Sequence, residues 1–522
     1  MPDETCRAFD SVAPLDPNVL HRFVVGADPA PRKMSPVEVK ALGDPFASLL
    51  LARGEVPRSG EELLAKIKAA VPGDDPLKKQ SSFVLGEGSQ LASTKESAGV
   101  DRTLRFVVTL GTGPEGPDIF LSVPDPKQPN LIEVMAWDRK VGGFNYYRST
   151  GDGAMWMFAG NSRDALRDSS RRKGPFESHP SGALLMKELK TPWINWHSPA
   201  ANIPETAFAK NDPRRTHEWF KKKEPGGALT FEFEAARPAM TRWAKARFAT
   251  LRKKGGTVSR PRQIMEQILD TPTVNLATTH IESRALSPSD RLDLPTTFFV
   301  DSEGLSDILG LDPPPAFFVT GKIYARCLDK FEVRMDDGQG FTPKGDTHFC
   351  FLVPERAFED QVVLREAVEM GLVSKRLATC LLMVDPWNPI FSDRRRALLR
   401  HVPATATMAK GKSSFTRDMA KAILEAAEKG PAGTPEAEFA KRWKVGTGFA
   451  GAFNKLLNLY YAAVTAQLRT QAGFDGYFKL AEERRRDFQE KTRIAEFPLL
   501  LPRTNIAPVG RRMQQDGTVS GG

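Results

Sequence analysis

Alternation of apolar and polar positions predicts β-strands in the first half of the chain. Apolar residues occupy every second position from Leu104 to Leu110, which is the period of a half-buried strand. The same period recurs from Ile119 to Val123, and short apolar segments bounded by Gly, Asp or Pro follow. Because the connections are short, we expect an antiparallel meander. The further strand-like segments are Leu131–Trp137, Phe144–Tyr147 and Met155–Phe158.

A helical spacing of three or four dominates the chain after Val353 and predicts an α-helical C-terminal region. The clearest case is the segment Phe449–Arg469, whose large apolar residues recur on one face. Together with the meander, these helices predict an α+β fold. The predicted C-terminal helices are Glu355–Met370, Arg394–Arg400, Phe415–Lys429, Pro435–Trp443, Phe449–Arg469 and Tyr477–Lys491. Earlier helices are predicted at Pro45–Ala52, Ser59–Ala70 and Arg237–Lys254.

Changes in composition and turn-rich stretches divide the chain into five predicted regions. Residues 1–78 form a predicted N-terminal arm with short helices, and residues 79–232 a β-rich domain that carries the candidate site. A mixed region, a helical domain and a loose tail follow. These last three regions span residues 233–410, 411–505 and 506–522.

Charge and cysteine content favour a cytoplasmic protein. The four cysteines include no Cys-x-x-Cys pair, which fits a reducing compartment. We expect no secretory signal and no membrane span, because no apolar run approaches the roughly 20 residues that cross a bilayer. The net charge of +10 favours a solvated basic surface over a nucleic-acid partner. The arginine triplets at 394–396 and 484–486 are likewise expected on solvated helix faces.

Groups that can bind a metal, a haem or a polar ligand are densest between residues 174 and 198. This segment holds two of the seven histidines, His179 and His197, with Glu188 midway between them. Two imidazoles and a carboxylate can form the three-ligand site of a non-haem iron or zinc protein. The alternative is a solvated glutamate with core or capping histidines, because compact ligand motifs lie one helical turn apart.

The tryptophans of the same segment also have two interpretations. Trp193 and Trp196 can wall an apolar cofactor pocket, but aromatic clusters are more often plain core. Since Trp137, Trp156 and Trp219 lie in the same half of the chain, one aromatic core beneath the predicted sheet would explain all five.

Two short motifs in this segment resemble the haem-attachment region of cytochrome c-like bacterial proteins of unknown function. The motifs are Met186-Lys187-Glu188-Leu189 and Pro192-Trp193-Ile194-Asn195-Trp196-His197, and the resemblance covers roughly residues 100–403. It implies a haem-binding redox protein in which His179 occupies the position of the haem-ligating histidine. Met186 or His197 would then be the second axial ligand.

The two cysteines of that attachment motif are replaced here by Pro175 and Ser178. Thioether attachment is therefore excluded, and a bound haem would be non-covalent. One hypothesis is a redox protein that binds haem or a transition metal. The other is a cofactor-free binding or assembly protein with a basic surface; a nucleic-acid role of the basic helix ranks third. The candidate cofactor ligands are His179, Met186, Glu188 and His197, with Trp193 and Trp196 as pocket walls. Catalytic residues are not assigned.

Overall fold

The computed structural model describes residues 15–86, 104–123, 132–150, 155–177, 179–183, 211–253, 256–270, 274–277, 279, 287–335, 351–409, 412–491 and 502–521. The chain forms two compact units, residues 1–247 and 248–522. The first is built on an eight-stranded, mostly antiparallel sheet, and helices dominate the second, so the fold is α+β as predicted. The finer division into five regions remains a prediction.

The eight-stranded sheet is the framework of the N-terminal unit. Its strands β3 to β8 pair antiparallel in chain order, which confirms the predicted meander. Strand β1 adds parallel to β8, and this pairing was missed because three residues carry no periodic signal. The strands are β1 (Leu20–Arg22), β2 (Arg32–Lys33), β3 (Gln80–Gly86), β4 (Leu104–Leu110), β5 (Ile119–Val123), β6 (Glu133–Asp138), β7 (Gly143–Thr150) and β8 (Met155–Asn161).

Helices with side-chain caps flank this sheet. Ser59 accepts a hydrogen bond from the Glu62 amide at 3.1 Å, as its position before a helix predicts. Asp44 caps the preceding helix through the Ala47 amide at 2.9 Å. The helices are α1 (Pro36–Ala41), α2 (Pro45–Leu49), α3 (Gly60–Ala70), α4 (Pro213–Thr216), α5 (Glu218–Lys221), α6 (Gly227–Thr230) and α7 (Arg237–Lys253), the last preceded by a π-helical turn at Phe231–Ala236.

The sheet has two covered faces, and its tryptophans are divided between them. Trp137 pairs with Phe144 and Trp156 with Ser149. These two positions on β7 are five residues apart, an odd number, so the tryptophans lie on opposite faces. Trp219 packs on Phe106, on the Trp156 side, at a ring distance of 5.7 Å. The prediction of a single aromatic core beneath the sheet is therefore wrong.

The helices of the C-terminal unit surround one apolar core. The segment predicted as one helix from Glu355 begins instead with a strand, because residues 353–356 pair antiparallel with residues 274–277. The last long helix starts six residues before Tyr477, in spite of Gly473 and Gly476. The helices are α8 (Pro261–Leu269), α9 (Gly321–Lys330), α10 (Phe358–Glu369), α11 (Lys375–Leu382), α12 (Asp393–Ala397), α13 (Ser414–Lys429), α14 (Pro435–Trp443), α15 (Phe449–Leu468) and α16 (Gln471–Lys491).

Small sheets complete the C-terminal unit, and they include the end of the chain. Met513 is fully buried, and the Tyr477 hydroxyl donates to the Gly517 carbonyl at 2.7 Å. The prediction of a loose tail is therefore wrong. The strands are β9 (Thr257–Ser259), β10 (Val274–Ala277), β11 (Arg291–Leu294), β12 (Phe317–Thr320), β13 (Arg334–Met335), β14 (Val353–Arg356), β15 (Thr405–Ala409), β16 (Lys412–Ser413), β17 (Pro502–Arg503), β18 (Arg512–Met513) and β19 (Val519–Ser520).

Candidate functional site

His179 lies in the N-terminal unit, in the segment that follows β8, and is half-buried. Its Nδ1 is 2.9 Å from the Ala183 carbonyl oxygen, and its ring lies 5.3 Å from the ring of Tyr146. Because a carbonyl oxygen can only accept, Nδ1 is the nitrogen that donates. In the neutral ring, Nε2 is therefore the basic nitrogen, the one that can bind a metal.

Close main-chain packing determines where His179 lies. Gly182 has φ of +74°, and a Cβ at this position would lie 2.5 Å from the Ser162 carbonyl oxygen, so glycine is required. The Ser162 hydroxyl donates to the Gly182 carbonyl at 2.6 Å, and the Trp243 indole donates to the Ser181 carbonyl at 3.0 Å. The segment is thus anchored to the end of the sheet and to α7.

The other predicted ligands lie in residues 184–200, outside the described residues. Their proximity to His179 therefore remains a prediction; they are Met186, Glu188, Trp193, Trp196 and His197. Within the described ranges, no group of three His, Cys, Asp or Glu side chains could hold a metal ion. Cys327 and Cys380 are buried, and desolvation raises the pKa of the Cys380 thiol to about 12, so it is not an activated nucleophile.

A buried polar network that the sequence analysis missed lies on the opposite face of the sheet. The Tyr147 hydroxyl donates to Asp44 at 2.5 Å, and the Asn145 amide donates to Asp44 at 2.7 Å and to Asp138 at 2.9 Å. Burial raises the pKa of the Asp44 carboxyl and of the Tyr147 hydroxyl. Since both carboxylates are fully buried, this network ties α2 to β6 and β7 and offers no surface to a ligand.

The basic helix α7 is less exposed than its sequence predicts. Arg242 bonds to Asp118 at 2.7 Å and lies 4.2 Å from the Trp137 ring. Arg247 is also buried, whereas Lys245 is exposed. Arg242 and Arg247 therefore contribute to internal packing, which reduces the basic surface available to a phosphate backbone.

No family model matches the chain, and no curated protein or solved structure shows significant similarity to it. The resemblance to cytochrome c-like proteins thus remains a hypothesis based on its two motifs. Across the part of the chain that the structure describes, no helix is long and apolar enough to cross a membrane.

Proposed function

We propose that the segment around His179 binds haem or a transition metal ion for redox chemistry. The observation that carries this proposal is the hydrogen bond from His179 Nδ1 to the Ala183 carbonyl. Histidines that ligate metals usually donate their second ring nitrogen to a carbonyl or a carboxylate, which orients the ring and makes the ligating nitrogen more basic. The geometry of His179 fits this role.

In this proposal, Nε2 of His179 is the first ligand. Met186 or His197 would be the second protein ligand of a haem, and Glu188 with His197 would be the further ligands of a metal ion. The bound iron or metal would supply electron transfer. The chain itself holds the imidazole through Ala183 and packs Tyr146 against the ring.

Two substitutions at His179 separate ligand binding from stability. His179→Asn keeps a donor near the position of Nδ1 but removes Nε2, so it should fold normally and lose the cofactor. His179→Ala should abolish binding with little loss of stability, whereas His197→Ala should mainly destabilise, by roughly 1–3 kcal/mol if a buried partner loses its bond. Metal analysis, a haem titration followed at the Soret band, and thermal melting would measure these effects.

His217→Ala is the matched control, because His217 stacks on Phe106 on the opposite face of the sheet. It should retain any cofactor that the wild type binds. If wild-type protein shows neither bound metal nor a Soret band after haem addition, the proposal is wrong. Cofactor occupancy that survives in His179→Asn would place the ligand elsewhere.

A cofactor-free binding or assembly protein is the second candidate function. It is favoured by the tight turn at residues 179–182, in which the Gly182 amide donates to the His179 carbonyl at 2.9 Å. Here the imidazole would only close this turn through Ala183. His179→Ala should then lower the melting temperature, and His179→Asn should restore it, with no cofactor in any variant. Stoichiometric metal or haem in the wild type would contradict this candidate.

A further inference from the structure

A polar cleft of about 760 Å³ opens in the C-terminal unit. One wall is the loop between α11 and α12, the second is α14, and the third is the chain end near β18. Trp387 and Ala437 contribute apolar surface. The charged side chains that line the cleft are Arg394, Lys441, Arg442, Arg512, Asp385, Asp393 and Glu438.

The cleft carries more positive than negative charge, because four basic and three acidic side chains line it. Glu438 lies 3.1 Å from Arg394 and 3.5 Å from Arg442, so one carboxylate serves two guanidinium groups. The carboxylate of Asp385 is buried and accepts from the Asn388 amide at 2.8 Å.

Two further cations come from different walls of the cleft. Lys441 belongs to α14 and is exposed, and none of the carboxylates that the structure describes forms an ion pair with it. Arg512 belongs to β18, donates to the Arg511 carbonyl at 2.8 Å and forms a long ion pair with Asp487 at 3.6 Å, both through Nη1. Both side chains therefore keep donors for a ligand that lies between them.

The loop wall is held rigidly in a costly conformation. Asp385 and Phe391 have φ of +53° and +52°, a region that non-glycine residues rarely adopt. Arg395 is buried and donates to three main-chain carbonyls of this loop. The Asn388 side chain bonds to both the amide and the carbonyl of Met513, at 3.1 Å each. Strained, well-supported loops of this kind are concentrated at functional sites.

We propose that this cleft binds a small multivalent anion that carries phosphate or carboxylate groups. Lys441 and Arg512 would contact the anionic groups directly. Arg394 and Arg442 would add to the positive electrostatic potential of the cleft. Trp387, which is partly exposed, would contact an apolar part of the same ligand. A volume of about 760 Å³ lies within the usual range of small-molecule pockets.

Calorimetric titration of the full chain with inorganic pyrophosphate and with citrate, at low salt, tests this proposal. At least one probe should bind, and the tighter one identifies phosphate or carboxylate as the preferred group. Lys441→Ala and Arg512→Ala should each weaken binding by about tenfold, because each removes one charged contact. Added salt should weaken binding further.

Lys444→Ala is the matched control, since Lys444 is exposed, directly follows α14 and does not line the cleft. It should leave the affinity unchanged. The proposal is overturned if neither probe binds at millimolar concentration, or if Lys444→Ala weakens binding as much as Lys441→Ala does. Circular dichroism of each variant would show that the fold is retained, and all three substituted side chains lie at least partly at the surface.

Discussion

Replacement of Tyr147 by phenylalanine isolates one hydrogen bond of the buried network in the N-terminal sheet. The hydroxyl donates to Asp44 at 2.5 Å, and neither residue is more than 2% exposed. The variant keeps the aromatic ring, which lies 5.1 Å from the ring of Phe46 and 5.7 Å from that of Phe158. Because packing is preserved, any loss of stability reports the hydrogen bond itself.

The expected loss follows from the charge of the acceptor. A hydrogen bond to a charged group contributes about 1.5–3 kcal/mol, against about 0.5–1.5 kcal/mol for a neutral pair. Asp44 keeps Asn145 and Ala47 as donors, so Tyr147→Phe should cost about 2–3 kcal/mol. Tyr146→Phe is the matched control on the next residue, whose hydroxyl donates to the neutral Ala183 carbonyl at 3.2 Å. We expect it to cost about 1 kcal/mol.

Urea unfolding followed by tryptophan fluorescence would measure both losses. Six of the eight tryptophans lie in residues 1–247, so the signal mainly reports the N-terminal unit. In a unit of this size, 1 kcal/mol corresponds to about 2–4 °C in melting temperature, so Tyr147→Phe should melt roughly 5–10 °C below the wild type. A loss no larger than that of Tyr146→Phe would refute the assignment of a charged acceptor to Asp44.

Two further substitutions test the pH dependence of this network and the docking of the chain end. Asp44→Asn removes a carboxyl whose pKa is raised by burial. A raised pKa stabilises the native state below the unfolded pKa of about 3.9, and this contribution is lost as the pH rises through the folded pKa. The stability of the variant relative to wild type should therefore increase as the pH rises from about 4, and a flat or falling difference in urea unfolding would contradict this. Met513→Ala should destabilise the C-terminal unit by about 2–5 kcal/mol in the same assay, because Met513 is fully buried; a loss below about 1 kcal/mol would mean that the chain end adds little.

Elements with a strong local period were predictable from the sequence, and elements defined by distant contacts were not. The predicted helix at Pro435–Trp443 is correct, because Thr434 and Pro435 encode its start and its apolar face recurs regularly. The predicted helix from Glu355 fails at its start. Residues 353–356 pair with β10, and Arg356 donates to the main-chain carbonyl of Gln267, 89 residues earlier. No local sequence pattern indicates a hydrogen-bond partner so far away in the chain.

The same distinction separates the two polar sites of the N-terminal unit. His179 was found because potential ligands are dense in its own segment, which is a local signal. The network around Asp44 was missed, since its hydrogen bonds to Asn145 and Tyr147 join residues 101 and 103 positions apart. Each member alone has an ordinary explanation, for example Asp44 as a cap before Pro45. The Asn145 and Tyr147 side chains lie close to Asp44 only after the sheet has formed.

The arginine triplets show how a simple rule about charge fails, and why the cleft was not foreseen. Both triplets were expected on solvated faces, yet Arg395 and Arg484 are at most 3% exposed. Consecutive helical residues are about 100° apart, so the three side chains of a triplet spread over about 200° of the helix surface and do not share one narrow face. One arginine of the first triplet is buried, and two of the second are, because Arg485 is only 4% exposed. A buried guanidinium then needs acceptors, and burial lowers the pKa of Arg395 only to about 10, so it stays charged at neutral pH.

Main-chain carbonyls of irregular segments are the acceptors that a folded interior can offer to such an arginine, since those of helices and strands are already paired. Arg395 binds carbonyls of the loop that follows α11, and Arg484 binds the carbonyls of Phe298 and Trp387. Each arginine thereby ties a segment outside the long helices and the strands to its own helix. The first triplet directly follows the loop that contains Asp385-Pro386-Trp387-Asn388-Pro389, and Arg395 is its member that holds this loop. In this chain, that loop forms one wall of the cleft.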